Sequence, residues 1–226
     1  MVLPIGDDNR DRKTTPIVNY LLIALNIFVF IYWQNWGHDD RVILAYSTIP
    51  GEILSTPIPA FPTLFTSMFL HGGLSHLGGN MLFLFIFGDN VEDAMGHGRY
   101  LIFYLLCGML AGLSHVFSTL FLGQDLMIPS LGASGAISAV LAAYMILFPG
   151  KRVHLWILLF IIPVPAFIAV GLWFAFQVIS GLGMLGGEEA GGVAYAAHIG
   201  GFIFGLLLTG MFAKDYISRR RSLRRR

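Results

Sequence analysis

The chain has 226 residues, of which 56% are hydrophobic and 12% are charged, and its formal net charge is +1. Soluble proteins average roughly 45–50% apolar and 25% charged residues, so this composition and the mean hydropathy of +0.72 exclude a soluble domain and predict a polytopic membrane protein. A single cysteine, Cys107, excludes a disulfide framework.

Apolar segments of spanning length recur along the chain. A transmembrane helix needs about 20 mostly apolar residues. Segments that approach or meet this length are, in chain order, 17–35, 75–95, 99–122, 133–149, 165–181 and 194–212. They predict an all-α fold, namely a polytopic bundle of six transmembrane helices.

If six spans cross the membrane in alternating directions, almost all lysines and arginines fall on one side of it. One side receives Arg10, Arg12, Lys13, Arg99, Lys151, Arg152 and every cation from Lys214 onward, and the other side keeps Arg41. Because cytoplasmic loops carry an excess of Lys and Arg, we expect both termini in the cytoplasm. The predicted organisation is an N-terminal tail at 1–16, a membrane domain at 17–212 and a basic tail at 213–226.

The basic tail contains six arginines at its end, Arg219, Arg220, Arg221, Arg224, Arg225 and Arg226. Such a run can bind nucleic acid, but an Arg cluster just after a last spanning helix more often fixes orientation and contacts anionic lipid. We therefore expect the lipid bilayer, and no nucleic acid, as its partner. No organelle-targeting segment is evident, which favours a multi-pass protein of a prokaryotic cytoplasmic membrane.

Three connecting regions have informative compositions. The first loop, 36–74, mixes prolines with apolar residues and is expected to be partly embedded and packed on the bundle. The stretch 153–164 is apolar but interrupted by Pro163, and we expect a re-entrant or interfacial lead-in to the fifth span. The glycine-rich fifth loop, Gly181 to Gly192, suits either a hinged cap or a plain connector.

Polar side chains converge at one depth of the predicted bundle. Spans two, four and six all run from outside to inside, so their first turns share the external third of the bilayer. There span two presents His76 and Asn80, span four presents Ser134 and span six presents His198. Reactive polar groups are costly in hydrocarbon, so each is a functional-site hypothesis, and a serine that meets a histidine suggests a nucleophile and its base.

Helical spacing places these groups on defined faces. His76 and Asn80 are four residues apart and share a face, and His198 shares a face with Gly201 and Gly205. Small residues let helices approach closely, as a serine–histidine hydrogen bond of about 2.6–3.2 Å requires.

Simpler interpretations of the same residues remain open. Gly132-Ala133-Ser134-Gly135 can serve helix packing alone, and it lacks the second glycine of the soluble hydrolase elbow. A lone intramembrane histidine is often a structural hydrogen-bonding residue. His71, His76 and His198 could bind a metal, but a His-Glu-x-x-His pair is missing, so we predict no metal and no cofactor.

Four motifs together resemble the rhomboid family of intramembrane serine proteases over about residues 60 to 212. The motifs are His71-Gly-Gly-Leu-Ser-His76 with Asn80, Gly88-Asp-Asn-Val-Glu92-Asp-Ala-Met-Gly96, Gly132-Ala133-Ser134-Gly135, and Ala197-His198-Ile199-Gly200-Gly201 with Gly205. The resemblance implies a six-helix bundle with a catalytic Ser134–His198 dyad. It also implies an oxyanion hole formed by His76, Asn80 and the backbone amide of Ser134.

The resemblance implies further roles. Members of the family cleave transmembrane segments of other membrane proteins at helix-unstable sites with a small residue before the cut, so the expected partners are transmembrane substrates. His71, Gly132, Gly135, Gly201 and Gly205 are expected to support the site. Independently of the resemblance, the polar cluster near the outer surface is expected to line a hydrophilic pocket that admits water; its members are His71, Ser75, His76 and Asn80. Glu92 is expected to be structural, bonding the backbone where helices meet.

Two departures from the family pattern concern the first loop and the histidine. Trp36 and Arg41 are separated where some relatives have an adjacent Trp-Arg pair. Ser138 stands where some relatives place a tyrosine that stacks on the catalytic histidine.

Alternatives to the protease function, and to a lateral gate at span five, stay open. A non-catalytic rhomboid-like protein that binds membrane clients is the main alternative, and a transporter lacks the expected inverted repeat. The bulky span-five residues Phe167, Trp173, Phe174 and Phe176 fit either a lateral gate against span two or lipid-facing packing.

Overall fold

The structure, a computed structural model, describes residues 2–185 and 194–224. In chain order the elements are β1 (Val2–Asp7), α1 (Ile17–Phe28, continued by a π-helical turn at Val29–Trp33), α2 (Asp40–Tyr46), α3 (Pro50–Ser55), α4 (Pro57–Ala60), α5 (Thr63–Thr66, followed by a 3-10 turn at Ser67–Phe69), α6 (Leu74–Met95), α7 (His97–Phe121), α8 (Ser134–Leu147), β2 (Arg152–Ile157), β3 (Phe160–Pro165), α9 (Ala166–Leu185), α10 (Tyr195–Phe212) and α11 (Lys214–Arg224).

Long apolar helices dominate the chain. Three of the described helices, α7, α9 and α10, are long and apolar enough to cross a membrane. Helices α1 and α8 are apolar but shorter, and α6 carries Asp89, Glu92 and Asp93 towards its end. Each predicted span coincides with a helix, while the count of six crossings and the orientation of the termini stay predictions.

Helix α8 lies at the centre of the bundle, where it packs against α6, α7 and α10. All of its residues from Gly135 to Tyr144 are buried. An added Cβ at Gly205 of α10 would lie only 2.6 Å from the Cα of Ala139, and one at Gly201 would collide with the carbonyl oxygen of Gly135. The small-residue faces of these two helices therefore meet in direct backbone contact.

The expectation of an all-α fold is wrong in one respect, because the chain also contains an antiparallel sheet of three strands in the order β1-β2-β3. The segment 153–164, expected to be a re-entrant or interfacial lead-in, forms most of the β2–β3 hairpin. Val153 and Leu155 of β2 are buried while their neighbours are less so, the alternation of a half-buried strand. Pro163 and Pro165 lie on the edge strand β3, where a missing N–H is tolerated.

The N-terminal segment 1–16 was expected to be a tail, but its strand β1 docks on the bundle. Asp7 accepts hydrogen bonds from the Tyr144 hydroxyl at 2.5 Å and from Asn90 Nδ2 at 2.9 Å. Burial raises the pKa of Asp7 to about 6, against the opposing effect of the Tyr144 hydrogen bond.

Of the basic tail 213–226, residues 214–224 form α11, and Arg220 donates to the carbonyl oxygen of Leu147 at the end of α8.

Glu92 joins α6 to the start of α1. The backbone N–H groups of Val18 and Asn19 donate to its carboxylate oxygens at 3.0 and 2.7 Å. A carboxylate at this position satisfies N–H groups that a helix leaves without partners and complements the helix dipole. The structural role that the resemblance implies for Glu92 is confirmed.

The first loop, 36–74, folds into four short helices, and α3 and α5 contact α7. The Gln34 side chain fixes the end of this loop, since its Nε2 donates to the His71 carbonyl at 2.9 Å and its Oε1 accepts from the His71 N–H at 2.9 Å. The prediction that this region packs on the bundle is confirmed. Of the glycine-rich fifth loop Gly181–Gly192, for which a hinged cap and a plain connector were both open, residues 181–185 complete α9 and residues 186–192 lie outside the described residues.

Candidate active site

Ser134 is the first residue of the central helix α8. The preceding Gly132 has a φ of +124°, a conformation that a residue with a side chain rarely adopts, and its N–H donates to the Ser67 carbonyl at 2.9 Å. An added Cβ at Gly132 would lie 2.8 Å from His76 Cε1 and 3.8 Å from Ser134 Oγ. The missing side chain at Gly132 thus leaves room for the His76 ring next to the Ser134 hydroxyl.

Ser134 and His198 are in direct contact. The Ser134 Oγ lies 2.6 Å from His198 Nε2, within hydrogen-bond distance. His198 lies in the first turn of α10, and the glycine contacts between α10 and α8 bring the two side chains together. The predicted hydrogen bond between them is present, and the catalytic roles of both residues stay predictions.

The other imidazole nitrogen of His198 is held by a residue that the sequence analysis missed. Gln177 of α9 is 6% exposed, and its Oε1 lies 2.7 Å from His198 Nδ1. With this oxygen as acceptor, Nδ1 carries the hydrogen and Nε2 is free to accept from the Ser134 hydroxyl. Trp173, one turn before Gln177, places its ring centroid 6.2 Å from the imidazole centroid.

A sequence signal for Gln177 exists. It is the only side chain with an amide or a charge between residues 166 and 183, and an isolated strongly polar group in an apolar helix is itself a functional hypothesis.

His76 of α6 offers a donor beside the serine. The Gly72 N–H donates to His76 Nδ1 at 3.3 Å, so the ring hydrogen is on Nε2. That nitrogen would lie 2.9 Å from a Cβ added at Gly132, next to the N-terminus of α8. A helix N-terminus carries N–H groups without intrahelical partners and a partial positive charge, so this end of α8 can stabilise an anion.

Asn80 and His71 are both buried near His76. Asn80 is 8% exposed, and its Nδ2 has no hydrogen-bond partner in the described part of the chain. It lies one helical turn beyond His76 and makes no hydrogen bond to Ser134 or His198.

His71 is fully buried, its ring centroid lies 5.1 Å from that of His76, and neither of its ring nitrogens has a partner within residues 2–185 and 194–224. Burial, and secondarily the neighbouring His76, lower the pKa of His71 to about 3, which keeps it neutral. Ser75, which was also predicted to line this pocket, is exposed.

A small cavity of about 30 Å³ lies beside Ser134, between the start of α8, helix α7 and the first loop. A buried water needs at least roughly 10–15 Å³ of such space and two or more polar partners. Thr48, Ser67 and Ser130 contribute hydroxyl groups to the lining.

The contacts of His198 also bear on whether this histidine could bind a metal ion. His198 uses Nε2 towards Ser134 and Nδ1 towards Gln177, so a metal could take this imidazole only by displacing one of those contacts.

Comparisons with known proteins show the family of this chain. The family model described as Rhomboid domain matches residues 60–215. The chain is 31% identical over 209 residues to Rhomboid protein 1, mitochondrial, of Saccharomyces cerevisiae, covering 91% of this chain and 56% of that protein. It is 32% identical over 207 residues to Rhomboid protease GluP of Bacillus subtilis, covering 90% of this chain and 38% of that protein.

A third relative is the human Presenilin-associated rhomboid-like protein, mitochondrial, which is 29% identical over 186 residues, 82% of this chain and 45% of that protein. The chain thus spans about half or less of the length of these relatives. With the domain match covering most of the chain, it belongs to the rhomboid family.

Proposed function

We propose that this chain is an intramembrane serine endopeptidase that cleaves transmembrane segments of other membrane proteins. The observation that carries the proposal is the hydrogen bond between Ser134 and His198, made inside a bundle of apolar helices. Nucleophile and base within hydrogen-bond reach, with the base oriented by a third group, is the arrangement of covalent catalysis.

The reaction begins when Ser134 Oγ attacks the carbonyl carbon of the scissile peptide bond and His198 Nε2 takes the hydroxyl proton. His76 Nε2–H, Asn80 Nδ2–H and the backbone N–H of Ser134 stabilise the resulting oxyanion. The intermediate then breaks the C–N bond, His198 returns the proton to the leaving amine, and an acyl-enzyme on Ser134 remains. Donors aimed at a developing oxyanion supply a large share of such catalysis.

Deacylation needs water, which must reach Ser134 within the apolar bundle. The cavity beside Ser134 is large enough for about two water molecules by the volume that each requires. The Thr48 and Ser67 hydroxyls at its wall are hydrogen-bonded to each other at 3.0 Å and supply polar partners. His198, again neutral, activates one water, which attacks the acyl carbon and frees Ser134.

Substrate access is proposed from the side, between α6 and α9. Trp173 of α9 packs on Phe83 of α6 with ring centroids 6.5 Å apart, and α9 exposes Phe167 and Phe176. A gate at this contact is consistent with a transmembrane substrate that enters from lipid.

The proposed setting is a six-span domain over residues 17–212 with both termini cytoplasmic and no cofactor. Relatives named as mitochondrial and a relative from Bacillus subtilis are both similar to this chain, and the prokaryotic cytoplasmic membrane stays a prediction.

The test is cleavage and active-site labelling of the full chain in proteoliposomes. A fluorophosphonate probe should label the wild-type protein, and Ser134→Ala should abolish both labelling and cleavage of a fluorogenic transmembrane substrate. Ser138→Ala is the matched control, because Ser138 lies one turn further along α8 and its hydroxyl donates to the Ser134 carbonyl at 2.6 Å. This control should still be labelled.

The same experiment separates the rival functions. A wild-type chain that binds transmembrane peptides but is neither labelled nor active would establish the client-binding alternative. Cleavage that persists in Ser134→Ala and stops on addition of a chelator would establish a metal-dependent hydrolase.

A further inference from the structure

The β2–β3 hairpin carries an apolar tip that no described part of the chain covers. Five consecutive large apolar residues form it, with relative exposures of 73% for Leu158, 89% for Leu159, 69% for Phe160, 60% for Ile161 and 44% for Ile162. In a half-buried strand one face is polar or covered, but here both faces are apolar and exposed. A contiguous patch of this kind marks an interaction surface.

The base of the hairpin is fixed at the end of the helical bundle. Arg152 pairs with Pro165, the Ala166 N–H donates to the Lys151 carbonyl at 2.8 Å, and Val153 is fully buried. Helix α8 ends just before this base and α9, which is long enough to cross a membrane, begins directly after it. The hairpin therefore leaves the bundle at the level where a membrane-crossing helix begins.

An added β-strand, from a second copy or another protein, is a poor occupant for this surface. On the side of the hairpin the edge strand of the sheet is β3, and Pro163 and Pro165 occupy alternate positions on it. Since proline has no N–H, and the ladder between β2 and β3 is continuous, these nitrogens face away from β2. The outer edge thus lacks two donors that strand addition would need.

The composition around the tip matches a lipid interface. Trp156 is 48% exposed on β2 and Arg152 is exposed at the base. Tryptophan is enriched where acyl chains meet headgroups, and a cation at that level pairs with phosphate groups. From tip to base, the hairpin presents apolar residues, then Trp156, then Arg152. This is the order of acyl chains, interface and phosphate groups in one leaflet.

We propose that the β2–β3 hairpin is an interfacial membrane anchor that inserts residues 158–162 among the phospholipid chains and headgroups of the leaflet where α9 begins. The anchor tethers α9 to lipid at its first residue. Helix α9 also carries Gln177 and Trp173, which contact His198. Lipid contacts at the hairpin would therefore help to fix the position of the helix that orients His198. The proposal concerns the placement of the hairpin and holds whether or not the chain is a protease.

The test uses a fluorophore at the tip of the full chain in proteoliposomes. Cys107 is buried and is replaced by alanine, after which Leu159→Cys and, separately, Ile161→Cys are labelled with an environment-sensitive nitrobenzoxadiazole dye. Asp11→Cys, an exposed position in the N-terminal segment, is the aqueous control. Lipids carrying a doxyl group near the headgroup and aqueous iodide serve as the two quenchers, in vesicles of phosphatidylcholine and phosphatidylglycerol.

We expect blue-shifted emission at both tip positions, strong quenching by the doxyl lipid, and iodide quenching several-fold weaker than at Asp11→Cys. Iodide quenching equal to the control, with no effect of the doxyl lipid, would overturn the proposal by placing the tip in water. Protection from both quenchers, with energy transfer between differently labelled copies, would overturn it in favour of a protein occupant.

Discussion

Gln177 and Ser134 hold opposite nitrogens of the His198 ring, at 2.7 Å and 2.6 Å. The amide oxygen of Gln177 therefore selects the imidazole tautomer that can accept the Ser134 proton. The resemblance to the rhomboid family matches Ser138 to a position where some relatives have a tyrosine that stacks on the histidine. In this chain the hydrogen bond to Gln177 can orient the His198 ring instead. We infer that Gln177 is a positioning residue of the proposed dyad.

Replacing Gln177 with leucine should lower kcat about fivefold with little change in KM, because a buried hydrogen bond contributes about 1 kcal/mol and about 1.4 kcal/mol corresponds to a tenfold change in rate. The rate of fluorophosphonate labelling at Ser134 should fall by the same factor. Gln177→Glu keeps an acceptor oxygen and should retain more activity than Gln177→Leu. Ile179→Ala, at an exposed position of α9, is the control, and unchanged kcat in Gln177→Leu would remove the positioning role.

Asn80→Ala should reduce activity without reducing stability. The Asn80 Nδ2 is buried with no partner among the described residues, and an unsatisfied buried donor does not stabilise a fold. Its removal should leave the thermal midpoint unchanged or higher. We expect kcat to fall by less than the roughly 100- to 1000-fold that follows loss of one oxyanion donor in soluble proteases, because His76 and the Ser134 amide share the charge.

Turnover assays and thermal unfolding of the same Asn80→Ala preparation test the predicted loss of activity and the predicted unchanged or higher thermal midpoint. A lower midpoint together with full activity would mean that Asn80 supports the fold and not the oxyanion.

Gly205→Ala should separate α10 from α8 and abolish the Ser134–His198 contact. The new Cβ would lie 2.6 Å from the Cα and 2.7 Å from the carbonyl oxygen of Ala139, and backbone cannot yield as a flexible side chain can. Overpacking of this kind costs about 1–3 kcal/mol of unfolding free energy. Gly210→Ala, on the same helix with nothing within 4 Å, should be neutral or stabilising by up to about 1 kcal/mol.

Equal thermal midpoints and equal cleavage rates for Gly205→Ala and Gly210→Ala would contradict the close helix approach.

Docking of strand β1 should weaken as the pH rises from about 4 to about 6. The docked strand holds Asp7 with its pKa raised from 3.8 to about 6, so it binds a proton that the released strand gives up in this range. Burial is the main cause, and the facing groups are Tyr144, Lys151, Asp8 and Asp89. The Arg10 contacts lower the pKa of Asp8. Any contribution of Asp8 to the docking of β1 therefore changes with pH only below about 4.

Amide hydrogen exchange of Leu3, Ile5 and Gly6, corrected for the intrinsic pH dependence, measures the effect. Asp7→Asn keeps the shape of the protonated carboxyl and should make protection independent of pH. The same pH dependence in Asp7→Asn and in the wild type would exclude Asp7 as its source.

The long apolar helices were predictable because hydropathy alone defines them, whereas the short helices α2 to α5 and the basic helix α11 were not predicted. The predicted span 194–212 corresponds to Tyr195–Phe212, and 75–95 corresponds to Leu74–Met95. The contact between Ser134 and His198 followed from matched depth and from glycine spacing, both of which are local properties of the sequence. Glu92 was placed by resemblance.

The sheet and Gln177 were missed for different physical reasons. Strand β1 pairs with β2 about 150 residues later, and hydropathy carries no information on such pairing. The rotation of α9 about its axis decides whether Gln177 faces His198 or lipid, and an apolar helix with little periodicity leaves that rotation undetermined.

The central helix α8 is shorter than the hydrocarbon layer of a membrane is thick. Its 14 residues cover about 21 Å at 1.5 Å per residue, whereas the hydrocarbon layer measures about 30 Å. If Leu147 is level with the membrane boundary, Ser134 stops about 9 Å beneath the opposite one. In the proposed protease, the length of α8 would then set the depth at which the substrate is cleaved. One inserted turn would move the Ser134 hydroxyl by about 5.4 Å, beyond hydrogen-bond reach of the His198 imidazole held by α10.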